Sequence, residues 1–339
     1  MYNQRTLYRF FVLLFFTILH CGIGHTQPRK FSFSRNKMGS PFNLLFVADD
    51  SIKAATLAEQ CFALVDSSNH VFSDYDPASE LSALNSSAGT NIPFKVSFRL
   101  WDIINQSRKA YRRSENSFDI TVGALSQVWR KARKNKEFPS EESVEVAKNK
   151  VGFRKLVIDS IQHTILLPAG MRLDLGGIAK GYVAQEVIGF LHQQGITQAL
   201  ADAGGDMAMS DSPPGTKGWT VGVNVPETTD ELLPKKLLLQ NRAVATSGDA
   251  YQFLEYHGKK YSHIIDPRTG YGIISQRNVT VIAPDGATAD WLATACSILP
   301  IPDAKKIALN NGAELLITEL KNGKIEFHNT EHFPDFWKR

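Results

Sequence analysis

Residues 172–182, RLDLGGIAKGY, constrain this chain more than any other stretch, because a carboxylate, two adjacent glycines and a lysine are compressed into a turn that opens a helix. After the turn, Ile178, Val183, Val187, Ile188 and Leu191 recur at helical spacing, whereas Arg172 to Leu175 reads as the end of a strand. Unpaired N–H groups and the positive end of the helix dipole favour a phosphate there, by roughly 0.3–1 kcal/mol from the dipole alone. Gly176 and Gly177 carry no Cβ to block close approach, and Lys180 adds a point charge. The spacing is neither GxGxxG nor a Walker A loop, so neither a Rossmann nor a P-loop reading is licensed. Taken alone, the turn reads first as an ordinary strand-to-helix connection.

The rest of the chain supplies the context. Residues 1–26 place Arg5 and Arg9 before an apolar run from Phe10 to Leu19, with small residues at Gly22 and Gly24. The run is short for a membrane span and fits a signal peptide of an exported protein, with the bacterial periplasm as its destination. A lipoprotein leader through Cys21 is the alternative; His20, where a small residue belongs, argues against it. Residues 27–339 then form one large domain or two interlocked subdomains. The net charge is +4, two units of which sit in the leader, and this is too little to argue for nucleic acid. The densest basic run, Arg130 to Lys136, has few interleaved aromatics and reads as a solvated face. Cys61 and Cys296 lie in apolar helical patterns with no metal-type spacing, as buried free thiols do.

Helical patterns cover 51–68 and 98–113, and a third follows Pro139, where Ser140, Glu141 and Glu142 supply a cap and first-turn acids. Strand-like runs fall at 155–159, 163–167, 219–225, 236–246, 260–265, 278–283, 313–318 and 324–328, several joined by short turns such as Asn322-Gly323. Strands adjacent in sequence predict antiparallel pairing. The expected class is α+β, a mixed core of largely antiparallel sheet with packed helices.

Further segments carry unusual chemistry. Asp290 and Thr294, at i and i+4, share one helix face and offer the hard oxygens that Mg²⁺ accepts, although an Asp in a first turn can simply complement the dipole. His263 is a lone histidine among apolar residues, structural by default and a base in the right setting. Tyr75 and Phe118 are core or cap residues by default, or flank a flat ring. Asp266-Pro267-Arg268-Thr269-Gly270 reads as a turn, with Gly270 at its positive-φ position.

In order along the chain, MGSPF, SDYDPASELSALN, SFDITVG, LDLGGIAKGY, DAGGD, TSGD, HIIDPRTG and TADWLAT resemble the motif series of the ApbE family, the FAD:protein FMN transferases. The resemblance runs from Met38 to Thr318. It implies a T-fold-like mixed α and β core and FAD held by Met38, Tyr75, Ser117, Phe118, Asp119, Asp174 and Lys180, with Ile264 making a backbone contact to the flavin nucleotide. It implies a Mg²⁺ site from the Gly177 carbonyl and the Asp290 and Thr294 side chains, and His263 as catalytic base. The segment 226–235, PETTDELLPK, has no counterpart that can be placed.

The activity implied is a Mg²⁺-dependent transfer of FMN from FAD to a threonine or serine hydroxyl of an acceptor flavoprotein, with release of AMP. The acceptors expected are flavin subunits of membrane redox complexes. The alternatives are an FAD diphosphatase, in which water replaces the hydroxyl, and an exported flavin-binding protein without catalysis. Tyr75, a bulky residue beside the site, favours transfer over water entry.

Overall fold

The computed structural model describes residues 28–224, 232–248 and 252–339. The leader with Cys21, most of the 226–235 segment and Asp249 of TSGD lie outside the described residues. In chain order the elements are β1 (Arg29–Lys37), β2 (Ser40–Ala48), α1 (Ser51–Phe72), α2 (Glu80–Ser86), β3 (Phe94–Lys95), α3 (Phe98–Arg113), α4 (Gly123–Asn135), α5 (Glu141–Lys148), β4 (Val157–Asp159), β5 (Thr164–Leu166), α6 (Ala179–Gln193), β6 (Ala199–Ala203) and β7 (Met207–Met209). They continue with β8 (Trp219–Val221), β9 (Leu237–Leu239), β10 (Arg242–Ser247), β11 (Phe253–Tyr256), β12 (Lys259–Ser262), β13 (Arg277–Ala283), α7 (Gly286–Ile298), α8 (Ile301–Asn310), β14 (Glu314–Lys321) and β15 (Lys324–Asn329).

The main sheet has the order β1-β2-β6-β7-β10-β13-β14-β15, and every neighbouring pair in it is antiparallel. Both faces are covered. Val279, Val281 and Ala283 of β13 face the core that α1, α3, α6, α7 and α8 build on one side. Ile282 faces a second cluster with Trp219, Leu237 and Phe333 on the other. That double cover is why all seven residues of β13 are buried, with no polar face toward solvent. The class is the α+β expected. Among the described residues, no helix is long and apolar enough to cross a membrane.

Two sequence expectations need correction. The 236–246 run is not one strand: Asn241 turns with a φ of 49°, so β9 pairs with β8 while β10 joins the main sheet. Arg172 to Leu175 is not a strand end either. Its backbone is instead gripped piecewise, by Asn85, whose amide both accepts from Leu173 N–H (2.7 Å) and donates to Leu173 C=O (3.0 Å), and by Ile120 C=O, which accepts from Asp174 N–H (2.7 Å). The apolar residues of α6 behave as predicted, and Ile178, Val183, Val187, Ile188 and Leu191 are all buried.

A third apolar cluster lies apart from the sheet. Leu125 and Trp129 of α4, Val144 of α5, Leu254 of β11 and Ile265 pack together. Trp129 Nε1 donates to Gly270 C=O at 2.9 Å, which ties α4 to the segment bearing His263. Gly270 sits at a φ of 84°, the positive-φ turn position expected of it.

Candidate active site

The tip of the β1–β2 hairpin, the loop after α1, the 117–122 loop, α4, the start of α6, residues 263–267 and Thr294 of α7 surround one cavity of about 730 Å³. Met38, Tyr75, Ser117, Phe118, Asp119, Asp174, Gly177, Lys180, His263, Ile264 and Thr294 all line it. Asp290 does not; it is buried directly behind the wall. Met38 holds a left-handed φ of 51° at the hairpin tip, beside Gly39 at 76°, an uncommon conformation for a residue with a Cβ.

The corner behind the wall is built by backbone approach. A Cβ on Gly181 would stand 2.1 Å from the Gly286 carbonyl oxygen, and one on Gly286 would stand 2.0 Å from that of Gly181. Only glycines let the N-terminal turns of α6 and α7 meet this closely. Asp290 thereby reaches α6: its Oδ2 accepts from Gly181 N–H at 3.0 Å, and the carboxylate also takes the Lys180 N–H. Burial raises its pKa to about 6, with those N–H bonds and the Lys180 charge opposing. Gly176 N–H is likewise taken, by Asp174 Oδ1 at 2.8 Å. The first-turn amides expected to face a phosphate are therefore largely committed to protein carboxylates, which corrects the sequence reading of this helix start. Gly177 faces Thr294, since a Cβ there would lie 2.9 Å from Thr294 Oγ1. The residue types expected to hold Mg²⁺, Asp290, Thr294 and the Gly177 carbonyl, are all oxygen donors of the kind that ion takes, and of the three residues Gly177 and Thr294 line the cavity. Asp206 of DAGGD belongs to the same corner; burial and the Asp290 charge hold its carboxyl well above the usual range.

The opposite wall is built from long side chains. Val122, Ser126, Arg130 and Arg133 follow helical spacing and all face the cavity. The basic run is therefore not simply a solvated face: Lys131, Lys134 and Lys136 are exposed, but Arg130 and Arg133 point inward. Arg130 bonds Asp74 through Nη1 and Asp174 through Nη2 (2.9 Å), and its guanidinium lies 4.0 Å over the Tyr75 ring. Burial and the nearby Asp174 carboxylate raise the Asp74 pKa despite this pairing. Tyr75 itself is 73% exposed, at the cavity edge and not in the core.

His263 lines the cavity with an exposed side chain, and the protein crowds around the ring. That confinement, with the positive charge of Arg133, lowers its pKa to about 4, so the ring is neutral at physiological pH. Its backbone N–H donates to Gln252 C=O at 2.8 Å. Other expected residues have internal duties as well. The Asp119 carboxylate accepts from Thr121 N–H (2.8 Å), Thr121 Oγ1 (2.7 Å) and Phe153 N–H (3.1 Å). Ser117 Oγ donates to Ser114 C=O at 2.8 Å. Ile264 donates its N–H to Ser262 Oγ (3.1 Å) and accepts from Ile273 N–H (3.0 Å). Phe118 is buried against Trp291. Asp74 and Asp206 stood in the motif series without an assigned role, and Arg130 and Arg133 were read only as part of a solvated basic run. The stripe 122, 126, 130, 133 was the signal for the arginines.

The ApbE family profile matches residues 38–317. The chain belongs to the ApbE family. An FAD:protein FMN transferase of Haemophilus influenzae is 28% identical over 309 residues, covering 88% of this chain and 89% of the relative. One from Escherichia coli K12 is 27% identical over 305 residues, covering 88% and 87%. Among solved structures, the flavin transferase ApbE of Vibrio cholerae superposes with a TM-score of 0.80 at 25% identity, over 91% of this chain and 99% of its own. The ApbE protein of Thermotoga maritima gives 0.82 at 28% identity, over 92% and 100%. As an ApbE-family member, the chain has its motif residues converging on one cavity instead of scattered over the surface.

Proposed function

We propose that the protein is an exported FAD:protein FMN transferase that moves the FMN half of FAD onto a threonine or serine hydroxyl of an acceptor protein and releases AMP. The observation that supports this reading is the juxtaposition, around one cavity, of a neutral imidazole, Gly177 and Thr294 with Asp290 buried behind them, and an aromatic backed by an arginine. Mg²⁺ held by Asp290, Thr294 and the Gly177 carbonyl would neutralise the pyrophosphate and favour departure of AMP.

The chain's own residues supply the rest. His263 accepts the proton of the acceptor hydroxyl as its oxygen bonds to the phosphorus on the flavin side and the pyrophosphate bond breaks; such a base contributes about 10²–10⁴-fold. Lys180 adds charge beside the phosphates, and Tyr75 offers a face to a flat ring and blocks water. The acceptor carries an exposed Thr/Ser motif, as flavin subunits of membrane redox complexes do. The leader at 1–26 supports a periplasmic location, with anchoring through Cys21 as the variant form.

The test mixes protein, FAD, Mg²⁺ and a candidate acceptor, and reads flavin fluorescence on a denaturing gel together with AMP. Labelled acceptor and AMP in equal amounts are expected. AMP with unlabelled acceptor would mean hydrolysis, and intact FAD would mean a carrier. Asp290→Asn, or EDTA on the wild type, should abolish both products while the protein stays folded; unchanged turnover would remove Asp290 from the site.

A further inference from the structure

Two arginines one turn apart on α4 enter the same cavity and differ in one respect. Arg130 is neutralised by Asp74 and Asp174. Arg133 is not: its Nη1 is shut off from solvent without a hydrogen-bond partner, and no carboxylate among the described residues acts on it. A buried donor of a charged group left without an acceptor costs free energy, more than a neutral one would. The arrangement makes physical sense where a ligand brings the missing acceptor.

The ligand must be an anion with an accessible oxygen, because the guanidinium donates only and keeps its charge. Its place is beside His263, since both residues line the same cavity and the Arg133 charge acts on that ring. Arg133 is half-buried and lines the cavity, so a nucleotide filling the cavity lies against this side chain. We infer that Arg133 is a phosphate-binding residue, its guanidinium donating to the phosphate on the flavin side of the bound nucleotide. This rests on the flavin reading above and extends it. An arginine suits the task because its planar fork matches phosphate oxygens.

FMN and riboflavin share a ring system and differ in that phosphate, so they separate this role from ring stacking. Both are titrated into the full chain in EDTA, by flavin fluorescence quenching, for the wild type, Arg133→Gln and Arg133→Lys. Arg133→Gln should weaken FMN by about 10- to 100-fold, the usual range for a charge-assisted bond. Riboflavin should stay within about twofold, and Arg133→Lys should recover part of the FMN loss. Gln and Lys are helix formers like Arg, and Arg133 Nη1 makes no internal bond to lose. Unchanged FMN affinity, or equal weakening of FMN and riboflavin, overturns the inference while leaving flavin binding intact. A wild type that binds FMN, riboflavin and FAD not at all overturns the flavin reading with it.

Discussion

The two walls of the cavity are made by opposite means. At the α6–α7 corner, the backbones touch through Gly181 and Gly286, and the carboxylate of Asp290 serves two helix amides at once. At the α4 wall, helix backbone stays back and long arginine side chains span the gap to Asp74, Asp174 and Tyr75. The first construction fixes positions to within the tolerance of packed backbone and accepts almost no substitution. The second sets charge and can be retuned one side chain at a time. On the reading proposed above, chemistry that needs fixed oxygens would sit on the first wall and recognition of an anionic substrate on the second.

The comparison can be broken in order of effect. His263, between the walls, should be the most sensitive: His263→Ala should cut transfer by about 10²–10⁴-fold while FAD still binds. A pKa near 4 also fixes the sign of the pH dependence, because the ring loses its free lone pair only as pH falls through about 4. Between pH 5.5 and 8 the transfer rate should therefore show no histidine limb, and removing the Arg133 charge should move the acid limb upward. A wild-type limb near 6.5 would mean that neither the crowding around the ring nor the Arg133 charge shifts the base.

Gly181→Val tests the corner. The added carbons meet the Gly286 carbonyl and Asp290 Cβ, and the cost should be about 3 kcal/mol of stability, read by thermal or urea unfolding. A loss under about 1 kcal/mol would mean that the helices separate easily. Arg130→Ala tests the other wall by leaving two carboxylates facing each other. Their side chains are 10% and 11% exposed, so a cost of about 2 kcal/mol is expected, below that of a fully buried pair. The smallest effect should be Tyr75→Leu: at 73% exposure it should shift stability by less than about 1 kcal/mol, and its consequence should appear in FAD affinity.

The same contrast decides what could be read from the sequence. Asp290, Thr294, Gly177 and His263 sit in short motifs whose residue types are unusual together, so the residues that meet at and beside this corner stood out as local patterns. The α4 wall was not, because Arg130 and Arg133 alternate with exposed lysines and only the three-dimensional phase of the helix separates them. The strands of the C-terminal half, β10, β13, β14 and β15, were legible from apolar runs, whereas β1, β6 and β7 were not predicted, and Arg172 to Leu175 misled because its backbone partners, Asn85 and Ile120, lie far away in the chain. The helix start misled for a related reason: an exposed amide in a sequence pattern can be claimed by a distant carboxylate, as Asp290 claims Gly181.

One feature of the hairpin bears on where the domain joins the residues before it. Met38 marks the cavity end of β1, and Arg29 begins its other end. Nine residues at about 3.4 Å each make a rod of roughly 30 Å. Whatever precedes Arg29 is thus joined to the domain a full strand length from the cavity mouth.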